Sequence, residues 1–339
     1  MIRASSAATP VSSQHPARWT LLRAALTAIL VGVVAVLGGC SAATSSGTAR
    51  ASDPGRSPGC DSSATPTRGT FEDTITVGGV QRRQLVHVPS NYSPTDATPL
   101  VVTMHGSGST AAEQLALTGM ATTSEQYGFI VLAPQAIGGQ WALPPPSDPS
   151  RPSADIAYVN EAVKQLANRF CIDTSRQYAS GMSQGSAMTL VLACEKDRRF
   201  AAFGGVGANF YQPICDRAGP APLIYFHGTA DRVVPISGGN VRGYQVTPTL
   251  ETMTKWAAHN KCTTGPRRTE IGDTTEFAWG DCASNADVDY YQVSGGGHTW
   301  PGAPSYVAQA IEPALGKTTT AVAASDLMWK FFSNYRLPD

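Results

Sequence analysis

Gly181-Met182-Ser183-Gln184-Gly185 is the stretch that most narrows the folds open to this chain. An apolar, strand-like run ends at Gly181, and a small-residue, helix-like run begins after Gly185. A strand that turns straight into a helix crowds the backbone at the turn. Glycines at the flanking positions remove the side chains that would collide there, and the central serine is left projecting. The helix start then aims free N–H groups and a partial positive charge at the same spot. A glycine-rich turn with an incidental serine has the same five letters. The pattern therefore gains meaning only from a strand before it, a helix after it and suitable partners further along.

The surrounding chain supplies that setting. Thr74–Val80 and Arg82–Val88 read as an antiparallel hairpin around Gly78-Gly79. Pro99–Met104, Phe129–Ala133, Ala201–Val206, Pro222–Phe226 and Val288–Val293 are short apolar strands, most of them continuous enough to be buried on both faces of a parallel sheet. Helical spacing is expected over 111–127, from Asp155 to Phe170, over 247–260 and over 321–335. Residues 138–153 break the pattern with Trp141 and a run of prolines, and read as a surface loop near the carboxyl ends of the strands. Strands alternating with helices imply an α/β domain with a mostly parallel, doubly wound sheet and the N-terminal hairpin at one edge. Ligands of such sheets bind outside the carboxyl ends of the strands. His105, Ser183, Asp231 and His298 all follow strand ends.

A serine hydroxyl is a weak nucleophile at neutral pH and needs a base within hydrogen-bond reach. Of six histidines, His298 is the best base, because a triple-glycine loop after the last strand leaves it free to reach Ser183. His87 alternates within the hairpin, and His259 suits a helix C-terminus. His105 and His227 each precede a glycine and suit loop bracing. Asp231, just past the strand ending at Phe226, is the best orienter for the imidazole; Asp273, Asp287 and Asp289 fall in or before the last strand. The order Ser183, Asp231, His298 is that of α/β-hydrolases. The oxyanion that such chemistry develops needs two donors, expected from the main-chain N–H groups of Gln184 and Ser107. Trp141, Trp300 and His105 are candidate substrate contacts. Each tryptophan could equally be core.

The motifs His105-Gly106, Gly-Met-Ser183-Gln-Gly, His227-Gly-Thr-Ala-Asp231 and Gly-Gly-Gly-His298-Thr-Trp300-Pro301-Gly302 together resemble one family. It is the polyhydroxybutyrate-depolymerase-like and feruloyl/acetylxylan-esterase-like group of secreted α/β-hydrolases, actinobacterial lipoproteins among them. The resemblance runs from about Arg68 to the end. It implies Ser183, Asp231 and His298 as a triad, carboxylic ester hydrolysis as the reaction, and no cofactor or metal. Asp155-Ile156-Ala157-Tyr158-Val159 is similar to the family's Asp-Val-Ala-Phe-Val helix start. The chain departs from the family at Ala154, where many members carry an acid, and in the proline-rich insertion after Trp141. In the family that loop lies beside the site, so the resemblance leaves the choice of ester open. A serine exopeptidase on the same fold and a non-catalytic, polysaccharide-binding surface lipoprotein are the competing readings.

The N-terminal segment is expected to lie outside the fold. Arg3, Arg18 and Arg23 precede an apolar run from Ala24 to Leu37, the length of a signal-peptide core rather than of a membrane span. Leu37-Gly38-Gly39-Cys40 resembles the bacterial lipoprotein box, which would cut before Cys40 and lipidate it. The expected organisation is a signal peptide over 1–39, a lipidated Ser/Thr/Gly/Pro-rich tether over 40–68 and a catalytic domain over 69–339. That places the protein at the extracellular face of the cell membrane; an ordinary secretory signal with a free Cys40 is the alternative and would release it. Removing three Arg from 25 basic residues leaves 22 against 25 acids, a mild charge that argues against nucleic acid as partner. Six further cysteines suggest three disulfides, for which 15 pairings exist. Cys194 with Cys215 and Cys262 with Cys282 are neighbours in sequence. Cys60 with Cys171 then follows by elimination and would pin the tether to the domain.

Overall fold

The computed structural model describes residues 55–62, 67–145, 153–209 and 218–338. The signal segment, Cys40, Cys215 and residues 146–152 of the proline-rich loop lie outside the described residues. A ten-stranded sheet organises the domain. Its N-terminal edge is the antiparallel hairpin β1 (Gly69–Val77) and β2 (Val80–Val88), and Gly78 and Gly79 turn it with φ of 58° and 82°. The centre comprises β3 (Thr98–Met104), β4 (Ile130–Pro134), β5 (Ile172–Met182), β6 (Ala202–Val206), β7 (Leu223–Gly228) and β12 (Val288–Val293). In space the order is β4-β3-β5-β6-β7-β12, with every pair parallel. The other edge is a second antiparallel hairpin, β10 (Thr264–Ile271) and β11 (Thr274–Gly280), with β11 paired to β12.

The continuous burial of β3 explains why its sequence does not alternate. Leu100 and Val102 pack into one core, while Val101 packs into the core on the opposite face. The first core is closed by α3 (Ala154–Arg169), α4 (Gln184–Ala193) and α5 (Thr249–His259). The second is closed by α1 (Ala111–Thr118), α2 (Met120–Tyr127) and α7 (Ala324–Phe332). The single helix expected over 111–127 is two. Thr110 and Glu113 form a capping box for α1, and Gly119 at φ 60° ends it and starts α2. Two elements beside the site were not anticipated: a hairpin of β8 (Gly239–Val241) and β9 (Tyr244–Val246), and α6 (Ser305–Leu315).

Residues 55–62 of the expected tether are docked on the domain. Ser57 Oγ donates to Phe170 O and accepts from Ile172 N, both at 2.8 Å. Cys60 is disulfide-bonded to Cys171, and Cys262 to Cys282. Cys194 is also disulfide-bonded.

Candidate active site

β5 ends and α4 begins with Ser183 between them, at φ 54° and ψ −121°. A non-glycine residue at positive φ costs about 1–3 kcal/mol and persists only where its surroundings enforce it. Two of those enforcements are visible. Ser183 N–H donates to Val206 O at 2.8 Å. The turn is also packed so closely that a Cβ on Gly185 would fall 2.1 Å from Met104 O, and one on Gly181 2.3 Å from the Gly185 carbonyl carbon. Only glycine fits either place.

His298 follows β12 on a loop pinned by its own N–H to Leu315 O at 2.7 Å, at the end of α6. Its Nδ1 lies 2.7 Å from Asp231 Oδ2. Asp231 sits in the turn after β7, and its Oδ1 accepts from the N–H groups of Val233 and Val234, both at 2.8 Å. Both side chains are buried. A second histidine backs the aspartate. His227 Nε2 is 3.3 Å from Asp231 Oδ2 and 2.8 Å from Val234 O. A carbonyl only accepts, so Nε2 carries the proton and Nδ1 is left to accept from Thr249 Oγ1 at 3.0 Å. Burial pushes the Asp231 carboxyl up, but hydrogen bonds from His227 and His298 outweigh it and hold the group well below the usual carboxylate range. Asp231 is therefore an anion fixed against His298 Nδ1. Among the described residues no hydrogen bond joins Ser183 Oγ to His298, although both line one cavity.

Ser107 and Gln184 also line that cavity, and the main-chain N–H of neither donates to a backbone acceptor among the described residues. The loop that carries Ser107 is clamped from below. Trp141 Nε1 donates to His105 O at 2.8 Å, and Gln184 holds the Trp141 main chain at both ends, accepting from its N–H at 3.0 Å and donating to its carbonyl at 3.1 Å. His105 Nε2 accepts from Ala136 N–H at 3.1 Å, and burial lowers its pKa below the ordinary histidine value.

These bonds correct the expected substrate contacts. Trp141, Trp300 and His105 are 3 %, 0 % and 0 % exposed, and none is among the residues that line the cavity. Trp141 supports a loop, Trp300 gives its Nε1–H to Ser325 Oγ inside the second core, and His105 braces the strand end. The cavity, of about 630 Å³, is walled instead by aliphatic side chains: Leu117 of α1, Val241 of β8, and Val307, Ile311 and Leu315 of α6. The spacing of the last three, four residues apart, was a readable helical stripe. Arg242, at the tip of the β8–β9 hairpin, carried no motif that marked it, whereas His227 opened the His-Gly-Thr-Ala-Asp231 motif and was read only as a loop brace.

Residues 86–215, which include β5 and the Gly181–Gly185 turn, match the family model described as Esterase PHB depolymerase. Over those residues the chain is similar to that esterase family. Feruloyl esterase B of Piromyces equi is 26% identical over 231 residues, covering 64% of this chain and 42% of that protein. The chain thus spans less than half the length of that relative. Feruloyl esterase C of Emericella nidulans is 24% identical over 290 residues, covering 81% of this chain and 90% of its own. Among solved structures, an acetyl xylan esterase from Aspergillus awamori superposes with a TM-score of 0.53 at 20% identity, covering 71% of this chain and 98% of that one. That likeness gives the fold, an α/β-hydrolase sheet.

Proposed function

We propose that the protein is a serine carboxylic ester hydrolase that works through an acyl-enzyme. The observation that carries this reading is the buried Asp231–His298 pair, 2.7 Å apart, opening on the same cavity as a serine held at φ 54°. Asp231 fixes the imidazole so that Nε2 is the nitrogen free to take a proton. Ser183 Oγ attacks the ester carbonyl as Nε2 accepts the hydroxyl proton. The tetrahedral oxyanion accepts from the N–H groups of Gln184 and Ser107. Collapse expels the alcohol, which takes the proton from His298, and leaves an acyl ester on Ser183. Water then repeats the sequence and frees the acid. Catalytic hydrogen bonds are often long in a substrate-free site and tighten on binding, which accommodates the missing Ser183–His298 bond.

Secretion through the 1–39 segment and lipid anchoring at Cys40 complete the proposal. They place the site at the extracellular face of the membrane, with an ester as its partner. Ser183→Ala is the test. We expect hydrolysis of 4-nitrophenyl butyrate to drop by at least about 10⁴-fold, and a fluorophosphonate probe to label the wild type and not the variant. Full activity in Ser183→Ala would remove the mechanism. A wild type that neither labels nor turns over esters would favour a binding protein on a hydrolase fold.

A further inference from the structure

The cavity beside Ser183 is lined mostly by apolar side chains, and Arg242 is the one lysine or arginine among its lining residues. Arg242 lines it from the β8–β9 turn and donates from its terminal nitrogen to Ser107 Oγ at 2.8 Å. Ser107 Oγ gives its own proton to Gln140 Oε1, also at 2.8 Å, so its lone pairs are free to receive the guanidinium. This is the one hydrogen bond Arg242 makes among the described residues, and no carboxylate lies within 4.0 Å of it there. A guanidinium offers five N–H donors in a planar fork. Among the described residues most of that fork is uncommitted, and it is held next to the loop whose N–H is the proposed oxyanion donor. The carboxylate that shares the cavity wall, Glu113, is occupied elsewhere: its Oε2 accepts from Thr110 N–H and Ser109 Oγ in the α1 cap. An arginine with no carboxylate partner among the described residues, beside an apolar pocket, is suited to a planar anion, which it grips bidentately.

We propose that Arg242 is a specificity determinant, and that the ester this site takes carries a carboxylate near the scissile bond. The apolar walls receive the hydrocarbon part of the substrate and the guanidinium receives the acid. This rests on the ester-hydrolase reading above. The carboxylate could sit on the acyl side, as in a half-ester of a dicarboxylic acid, or on the alcohol side, as in an ester of a hydroxy acid. One chemistry serves both.

The test compares two matched pairs on the purified full chain: phenyl hemiadipate against phenyl hexanoate, and 4-carboxyphenyl butyrate against 4-carbamoylphenyl butyrate. We expect one charged ester to be preferred over its neutral match by about tenfold or more in kcat/KM. The preference should be carried by KM and weakened at about 0.5 M salt. In Arg242→Asn the ratio should collapse toward one, and Arg242→Lys should keep part of it, having the charge without the fork. Asparagine is favoured at the left-handed turn position that Arg242 occupies at φ 52°, so the hairpin is not put at risk. If the wild type cleaves the neutral esters with no preference for either charged one, or if the preference survives Arg242→Asn, the inference falls while the hydrolase reading stands. If no ester is cleaved at all, both fall.

Discussion

Asp155 ties the floor of the site to the sheet, and replacing it should cost both stability and turnover. Its Oδ1 lies 2.5 Å from Arg82 on β2, and its Oδ2 accepts from Ala142 N–H at 2.7 Å. The side chains of the pair are 4 % and 6 % exposed. The Arg82 guanidinium also lies 3.8 Å over the Tyr158 ring. Asp155 occupies the first turn of α3, where a carboxylate is favoured by the helix dipole, and Ser153 Oγ caps the same turn. Removing one member of a buried ion pair leaves the other desolvated and uncompensated, which typically costs about 3–5 kcal/mol. For a domain of this size each kcal/mol moves the melting midpoint by about 2–4 °C. Asp155→Asn should therefore melt roughly 6–20 °C below wild type in a calorimetric or circular-dichroism scan.

The double variant separates this argument from a simple loss of contacts. Arg82→Met with Asp155→Leu removes both charges together, so it should be more stable than the two single losses added, by well over about 1 kcal/mol. The catalytic arm follows from Ala142. Its neighbour Trp141 is clamped by Gln184 and supports His105, so a loosened 140–142 segment moves the two proposed oxyanion donors. Well below the melting midpoint, kcat for 4-nitrophenyl butyrate should fall several-fold in Asp155→Asn with KM little changed. A midpoint within about 2 °C of wild type, or strict additivity of the two single changes, would refute the reasoning.

Three further outcomes follow from the structure. Asp289 on β12 is pushed up to about 7 by burial first and then by the charges of Glu276 and Asp287, against Arg267. Between about pH 4 and 7 the folded state keeps a proton that the unfolded chain has lost, so stability from this group falls as the pH rises through that window; Asp289→Asn should gain about 1–2 kcal/mol over wild type at pH 8 and nothing at pH 4, read from urea midpoints. Asp231 has the opposite sign: its depressed pKa contributes stability that is present above the unfolded value of about 3.9 and is lost as the pH falls below it, so the stability gap between wild type and Asp231→Ala should narrow on acidification from pH 5 to 3. Cys60–Cys171 spans 111 residues and Cys262–Cys282 spans 20. In the chain-entropy model the longer loop stabilises by about 1 kcal/mol or more beyond the shorter, so the paired Cys→Ala variants should differ in that order in urea unfolding.

The residues this site gathers were readable because each stands at the end of a strand that advertises itself. β3, β7 and β12 are apolar enough to be found by eye, β5 shows itself only in its last residues before Gly181, and topology then sends Ser183, Asp231 and His298 to one rim. β10 and β11 escaped for the converse reason. Thr264–Ile271 is exposed along most of its length, carries Arg267, Arg268 and Glu270, and contains Pro266. Charge and proline at an edge are how a sheet discourages further pairing, and they erase the strand signal as they do so. The cavity walls failed differently. Trp141 and Trp300 suggested a ligand platform by size and position, yet each spends its indole N–H on a partner that only the folded chain supplies, His105 O for one and Ser325 Oγ for the other. The walls that do line the space, Val241 and the Val307, Ile311 and Leu315 stripe, are ordinary aliphatics on elements that cross over the strand ends. Strand ends fix where a backbone brings a side chain, while the residues a loop turns inward depend on contacts made tens of residues away. Chemistry that sits on the first kind of position is legible in a single sequence, and specificity that sits on the second, Arg242 included, is not.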